Sequence, residues 1–211
     1  FRNNYEWCRK HGLKYAFHTS DTGPFSLKEC PRSSLFWEGE PLKLLEHSDC
    51  PGTDHELAAL DGGTHYDKRF FFPEASLGGG TEKLYNCNFS ETKFDLRAKY
   101  ASSAAFLHKK ERVLCEAFAA TGWGADPALL RRIAAWQIMQ GVNFFVPHAV
   151  HHRFFGETKY FAPPEFLHGS LRHGVREFNE FLSRFSWIAA QGEYVAPIGV
   201  ADPSPEILAG R

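Results

Sequence analysis

The sequence predicts an α/β fold assembled from parallel β/α units, and three observations carry that expectation. A helical pattern over 3–11 runs through Gly12 straight into the apolar stretch Leu13–His18, the αβ half of a repeat. Residues 112–147 read as strand, capped helix and strand, and such a crossover implies a parallel pair. A last helical pattern at about 174–191 is again followed by an apolar run, Val195–Val200, which fits a final strand.

The elements follow in order. Gly12 suits the position just past the C-terminus of the first helix. The strand at 13–18 ends in the polar turn residues Thr19-Ser20-Asp21, and 23–39 is a Pro-, Ser- and Gly-rich loop. Pro41 fits the first turn of a short helix running to about His47. The Pro51-Gly52 pair is a turn signal, with a brief strand end around Thr53–His55 behind it. Residues 61–90, with Gly62-Gly63 and Gly78-Gly79-Gly80, form an irregular insertion longer than a compact βα unit needs. Phe94, Ala98, Ala101 or Ser102, Ala105 and Phe106 recur at helical spacing within 92–110.

The strand Arg112–Cys115 ends at Glu116, and Asp126 with Pro127 forms an N-cap and first turn. Leu129, Leu130, Ile133, Ala134 and Ile138 line one face of that helix, Gly141 ends it, and Val142–Val146 is the next strand. In the last helix Phe178, Phe181, Leu182, Phe185 and Ile188 are spaced for burial. The domain is expected to span 1–200, with 201–211 a Pro-rich linker or tail. Because the chain opens at Phe1 inside a helical pattern, it reads as cut from something longer.

Composition narrows the function classes. A net charge of −1 argues against a general nucleic-acid binder. No apolar run approaches the ~20 residues needed to span a bilayer. The five cysteines (Cys8, Cys30, Cys50, Cys87 and Cys115) include no Cys-x-x-Cys pair, so a cysteine-based zinc site lacks support. Cys115 reads as a small buried hydrophobe, and Cys30–Cys50 and Cys50–Cys87 bridges are both compatible with the spacing. Cysteine usage leaves the compartment open. Aromatic residues make up 15% of the chain, which fits a bulky core or sugar-binding faces.

Ligands of parallel α/β folds bind outside the C-terminal ends of the strands, so ionisable groups there are the first candidates. They are His18 with Asp21, Asp54 with His55 and Glu56, Glu116, and Asn143 with His148. Glu116 stands out because three apolar residues precede it and a Gly122-Trp123-Gly124 loop follows; a carboxylate there must be paired or solvated from a cleft. Asp54 is a candidate second carboxylate, since glycosidic cleavage usually uses two; the alternative is a turn aspartate bonded to its own backbone. His148, His151 and His152 invite a metal reading, but Pro147 makes the segment a strand-end loop and no His-Glu-x-x-His helix is present. Gly78–Gly80 lacks the Lys-Ser/Thr of a phosphate loop, and there is no Gly-x-Ser-x-Gly elbow.

An ordered set of short motifs adds to this reading. Trp7–Leu13 leading to His18, Asp49–Asp54, Leu114–Phe118 with Gly122-Trp123, Trp136, Gly141-Val142-Asn143, Val146-Pro147-His148 and Pro163-Pro164 stand in series. Together they resemble the catalytic domain of the large bacterial α-L-rhamnosidase-like glycoside hydrolases, family 106 and its relatives. The similarity covers nearly the whole chain outside 61–90. It implies the C-terminal half of a (β/α)8 TIM-type barrel with Glu116 on the seventh strand. It also implies an inverting hydrolase with a carboxylate pair and an assisting calcium ion. Glu116 would then be the general base, and the acid either Asp54 or a residue of a missing N-terminal half. His18, His55, Trp123, Asn143 and His148 are the expected substrate contacts. The expected partners are a carbohydrate substrate and the missing barrel half or a second copy of the chain, since an isolated half leaves strand edges open.

Two rival classes accompany the hydrolase expectation of a terminal sugar, such as α-L-rhamnose, released from a polysaccharide or glycoside. One is a non-catalytic or degenerate carbohydrate-binding barrel, in which Glu116 is salt-bridged and covered. The other is a metal-dependent hydrolase, in which three of His18, His55, His148, His151 and His152 converge.

Overall fold

A computed structural model describes residues 1–19, 39–55, 97–119, 125–150, 152, 166–167, 170–193 and 195–201. Its centre is a four-stranded sheet in the order β1 (Ala16–Thr19), β2 (Cys50–His55), β3 (Leu114–Ala117), β4 (Phe144–Pro147). Every neighbouring pair is parallel. The helices are α1 (Arg2–Lys10), α2 (Pro41–Leu45), α3 (Arg97–Leu107), α4 (Pro127–Met139) and α5 (Val175–Ala189), with a 3-10 turn at Ser170–His173. The α/β architecture with a parallel sheet is therefore as the sequence pattern indicates.

Local chemistry explains the element ends. The Asp126 carboxylate accepts from the Leu129 N–H at 2.7 Å, and Pro127 follows it, so α4 starts with a satisfied donor and a preset φ. Gly141 takes φ +104° past the end of α4. There its N–H donates to the Ile138 carbonyl and that of Val142 donates to the Gln137 carbonyl, the paired bonds of a Schellman ending. The Glu40 side chain caps α2 through the Lys43 N–H at 3.1 Å.

Strand alternation divides the sheet into two faces. On one, Cys115 and Ala117 join a core with Ala98, Ala101, Ala104 and Ala105 of α3, Leu130, Ile133 and Ala134 of α4, and Phe178 and Leu182 of α5. Small alanines let α3 lie close over the central strand β2, and Phe118 stacks on Phe145 and meets Phe166 and Phe178 edge-on. The other face carries His18, Gly52, Asp54, Leu114, Glu116, Phe144 and Val146 by register. It is open toward β4, where Phe144 and Val146 are 45% and 43% exposed.

Several expectations change. Pro51-Gly52 is not a turn: β2 begins at Cys50 and runs through both residues. Pro51 is tolerated in a central strand because pairing with β3 starts only at Gly52, so its missing N–H falls at the strand's beginning. Residues 195–200 form no strand, and Val195, Ile198 and Val200 are exposed. On α5 burial stops at Phe178 and Leu182, leaving Phe185 and Ile188 exposed, and on α3 Phe106 points outward. Gln137 is fully buried on α4, a position the apolar spacing did not include. Cys50 is a free thiol, so neither proposed bridge to it forms; Cys115 is buried as expected. The insertion at 61–90 lies outside the described residues, as do 202–211.

Candidate functional site

The C-terminal ends of the two central strands bring the best candidates together. Register pairs Asp54 of β2 with Glu116 of β3 on the open face. Neighbouring strands lie about 4.8 Å apart, so the two residues stand side by side on that face. Thr53 and Cys115, one residue earlier on each strand, point the other way and are buried. That alternation is what turns Asp54 and Glu116 away from the helices.

His18 reaches the pair from β1. Its Nε2 lies 3.0 Å from Glu116 Oε2, with side-chain exposures of 36% and 27%. The two residues belong to strands that are not hydrogen-bonded to each other; β2 runs between them and places Gly52 opposite His18. Gly52 has no side chain to fill the gap. A Cβ there would sit 2.7 Å from the Phe17 carbonyl oxygen and 2.9 Å from His18 Cβ, closer than packed atoms approach. The glycine is therefore required by close contact, one of the recognised reasons for glycine within a strand.

Entry-side bonds fix the register of these strands from below. The Tyr15 N–H donates to Asp49 Oδ2 at 2.9 Å, and the Asp49 N–H donates to the Tyr15 carbonyl at 2.7 Å. Ser48 Oγ donates to the same carbonyl and accepts from the Cys50 N–H. Above the site, Phe118 adopts φ +77°, a conformation uncommon for a bulky residue, and turns the chain sharply after β3. Its ring is buried in the core, so packing compensates the backbone strain two residues beyond Glu116.

His148 lies just past β4, half-buried, and its N–H donates to the Ala117 carbonyl at 2.9 Å, which carries the β3–β4 ladder to the strand end. Asn143 does not join the site. It precedes β4 at the opposite end of the sheet and is only 7% exposed. There its Oδ1 accepts from the Val113 N–H at 2.8 Å and its Nδ2 donates to the Glu111 carbonyl at 3.0 Å. The expected sugar contact is thus a structural amide: the strand starts two residues later than its apolar run suggests, which moves Asn143 from the rim to the base. His55 closes β2, but its side chain, like Trp123 and His151, lies outside the described residues.

Among the described residues no group of three or more His, Cys, Asp or Glu is placed to hold a metal ion. No helix of the described residues is long and apolar enough to cross a membrane. Burial pushes the Cys50 thiol up from 9.0 to about 11, with Arg112 opposing the shift. That thiol is not a nucleophile at neutral pH. The reactive potential of the site rests on Glu116, Asp54 and His18: a partly exposed carboxylate with an imidazole at ion-pair distance, and a second carboxyl in register beside it whose Oδ1 is buried. No family model matches the chain, nor does any curated protein or solved structure.

Proposed function

We propose that the chain is the C-terminal half of a (β/α)8 glycoside hydrolase barrel that releases a terminal sugar, such as α-L-rhamnose, by carboxylate acid/base catalysis. The observation that carries the reading is Glu116, ionisable and partly exposed at the C-terminal end of a central parallel strand, with Asp54 in register beside it. Active sites of barrels occupy that end of the strands, and glycosidic cleavage divides proton donation and water activation between two carboxyl groups. In this scheme Glu116 is the base toward water, and Asp54 is the candidate acid for the leaving oxygen.

The sheet supports the barrel part of the proposal. Parallel sheets are normally covered on both faces, whereas here helices cover one face and Phe144 and Val146 stand exposed on the other. In a closed barrel those residues become interior packing, and His18, Asp54 and Glu116 become the rim of its mouth.

The test is a panel of aryl glycosides, including an aryl α-L-rhamnoside, incubated with the intact gene product while release of the aryl alcohol is followed. Turnover of at least one member is the expected result. Failure to hydrolyse any of them, with the protein folded, contradicts the proposal.

A further inference from the structure

The pairing of His18 with Glu116 has a second half. The other ring nitrogen, Nδ1, lies 3.3 Å from the carbonyl oxygen of Thr19, a group that can only accept. The imidazole is therefore set between two acceptors, a backbone carbonyl on one side and a carboxylate oxygen on the other. An imidazole satisfies both only when Nδ1 and Nε2 each carry a proton.

We infer that His18 is a positioning residue that bears both ring protons, anchors one on Thr19 and uses the other to hold Glu116 as an oriented carboxylate. Oε2 is the carboxylate oxygen that faces Nε2, at 3.0 Å. Loss of the Nε2 proton leaves an Nδ1–H imidazole, because the Thr19 carbonyl still demands a donor. The Nδ1–H form is the reverse of the more common neutral tautomer, and second partners of this kind are what fix histidine tautomers. Across the same face β2 contributes Asp54, β3 contributes Glu116, and β4 contributes the apolar Phe144 and Val146, with His148 just beyond.

The catalytic consequence rests on the glycosidase proposal; the protonation pattern does not, and the two can fail separately. The primary test is nitrogen-15 NMR of the histidine rings in the unsubstituted protein, from about pH 5 to about pH 8. The His18 signals are identified by their loss in His18→Gln. The expected result is a proton on Nδ1 throughout, and an Nε2 resonance that responds to Glu116→Gln. A neutral His18 protonated on Nε2, or an Nε2 signal indifferent to Glu116→Gln, overturns the inference whether or not any glycoside is cleaved. A second arm uses His18→Gln, whose amide N–H can reach the place of Nε2–H, and His18→Ala, which has no donor. If glycosidase activity is present, kcat is expected to fall at least about tenfold in His18→Ala and to be largely restored in His18→Gln. Equal losses in both, at equal thermal stability, contradict positioning through a hydrogen bond.

Discussion

His18 and Glu116 meet at 3.0 Å over a strand that separates their own, and Gly52 is the residue that lets them meet. The Gly52→Ala substitution tests that relationship. Its added methyl would lie 2.7 Å from the Phe17 carbonyl and 2.9 Å from His18 Cβ, so β1 has to move away from β2. Overpacking of this kind typically costs about 1–3 kcal/mol. Urea denaturation should show a loss in that range, and the His18 ring signals should shift. An unchanged midpoint would mean that β1 yields without strain.

Phe118 ties the turn above the site to the core. Its ring centroid is 5.3 Å from that of Phe178 and 6.1 Å from that of Phe145. Phe118→Ala removes this packing while leaving a side chain in the left-handed backbone region. Truncations of buried phenylalanine cost about 3–5 kcal/mol, and a loss of that size is expected by calorimetry. Because the turn follows Glu116 by two residues, activity per folded molecule should fall as well.

Asn143 supplies a contrast between a structural and a sugar-binding role. Asn143→Ala leaves the Val113 N–H and the Glu111 carbonyl without their side-chain partners at the base of the sheet. An unmet buried group costs about 1–3 kcal/mol. Stability should drop by about that amount with KM unchanged in the folded fraction. A raised KM at unchanged stability would restore the sugar contact that the sequence suggested.

Cys50 gives the fold an alkaline limit. Its thiol is pushed up to about 11 in the folded chain from 9.0, chiefly because burial disfavours the thiolate. A group whose folded value is raised stabilises the protein below the unfolded value, and that contribution is lost as pH climbs from 9.0 toward about 11. At about 1.4 kcal/mol per tenfold of proton affinity, the loss is on the order of 3 kcal/mol. Denaturation midpoints measured across this window should decline in the native protein and decline less in Cys50→Ala. Equal pH slopes in the two proteins would contradict the assignment.

The sequence made the repeating β/α order legible because it is written in local signals: Asp126-Pro127 at a helix start, Gly141 at its end, and apolar runs leading into Glu116 and Pro147. Glu116 and Asp54 were findable for the same reason, since each stands one residue before the end of its strand. The partnership of His18 with Glu116 was not, because it depends on register across three strands. Gly52 was its only local trace, and Pro51 beside it disguised that glycine as part of a turn. Asn143 was misplaced by a two-residue difference in where β4 begins, and Val195–Val200 by reading hydrophobicity as pairing when, among the described residues, the segment pairs with no strand.

The most direct trial of Glu116 as the catalytic carboxylate is the kcat of Glu116→Gln beside the unsubstituted protein on the best aryl glycoside. The substitution keeps shape and removes the base. General acid–base groups contribute about 100- to 10,000-fold, so a loss of at least about 100-fold at unchanged thermal stability is the predicted result. Equal turnover by the two folded proteins would contradict the assignment.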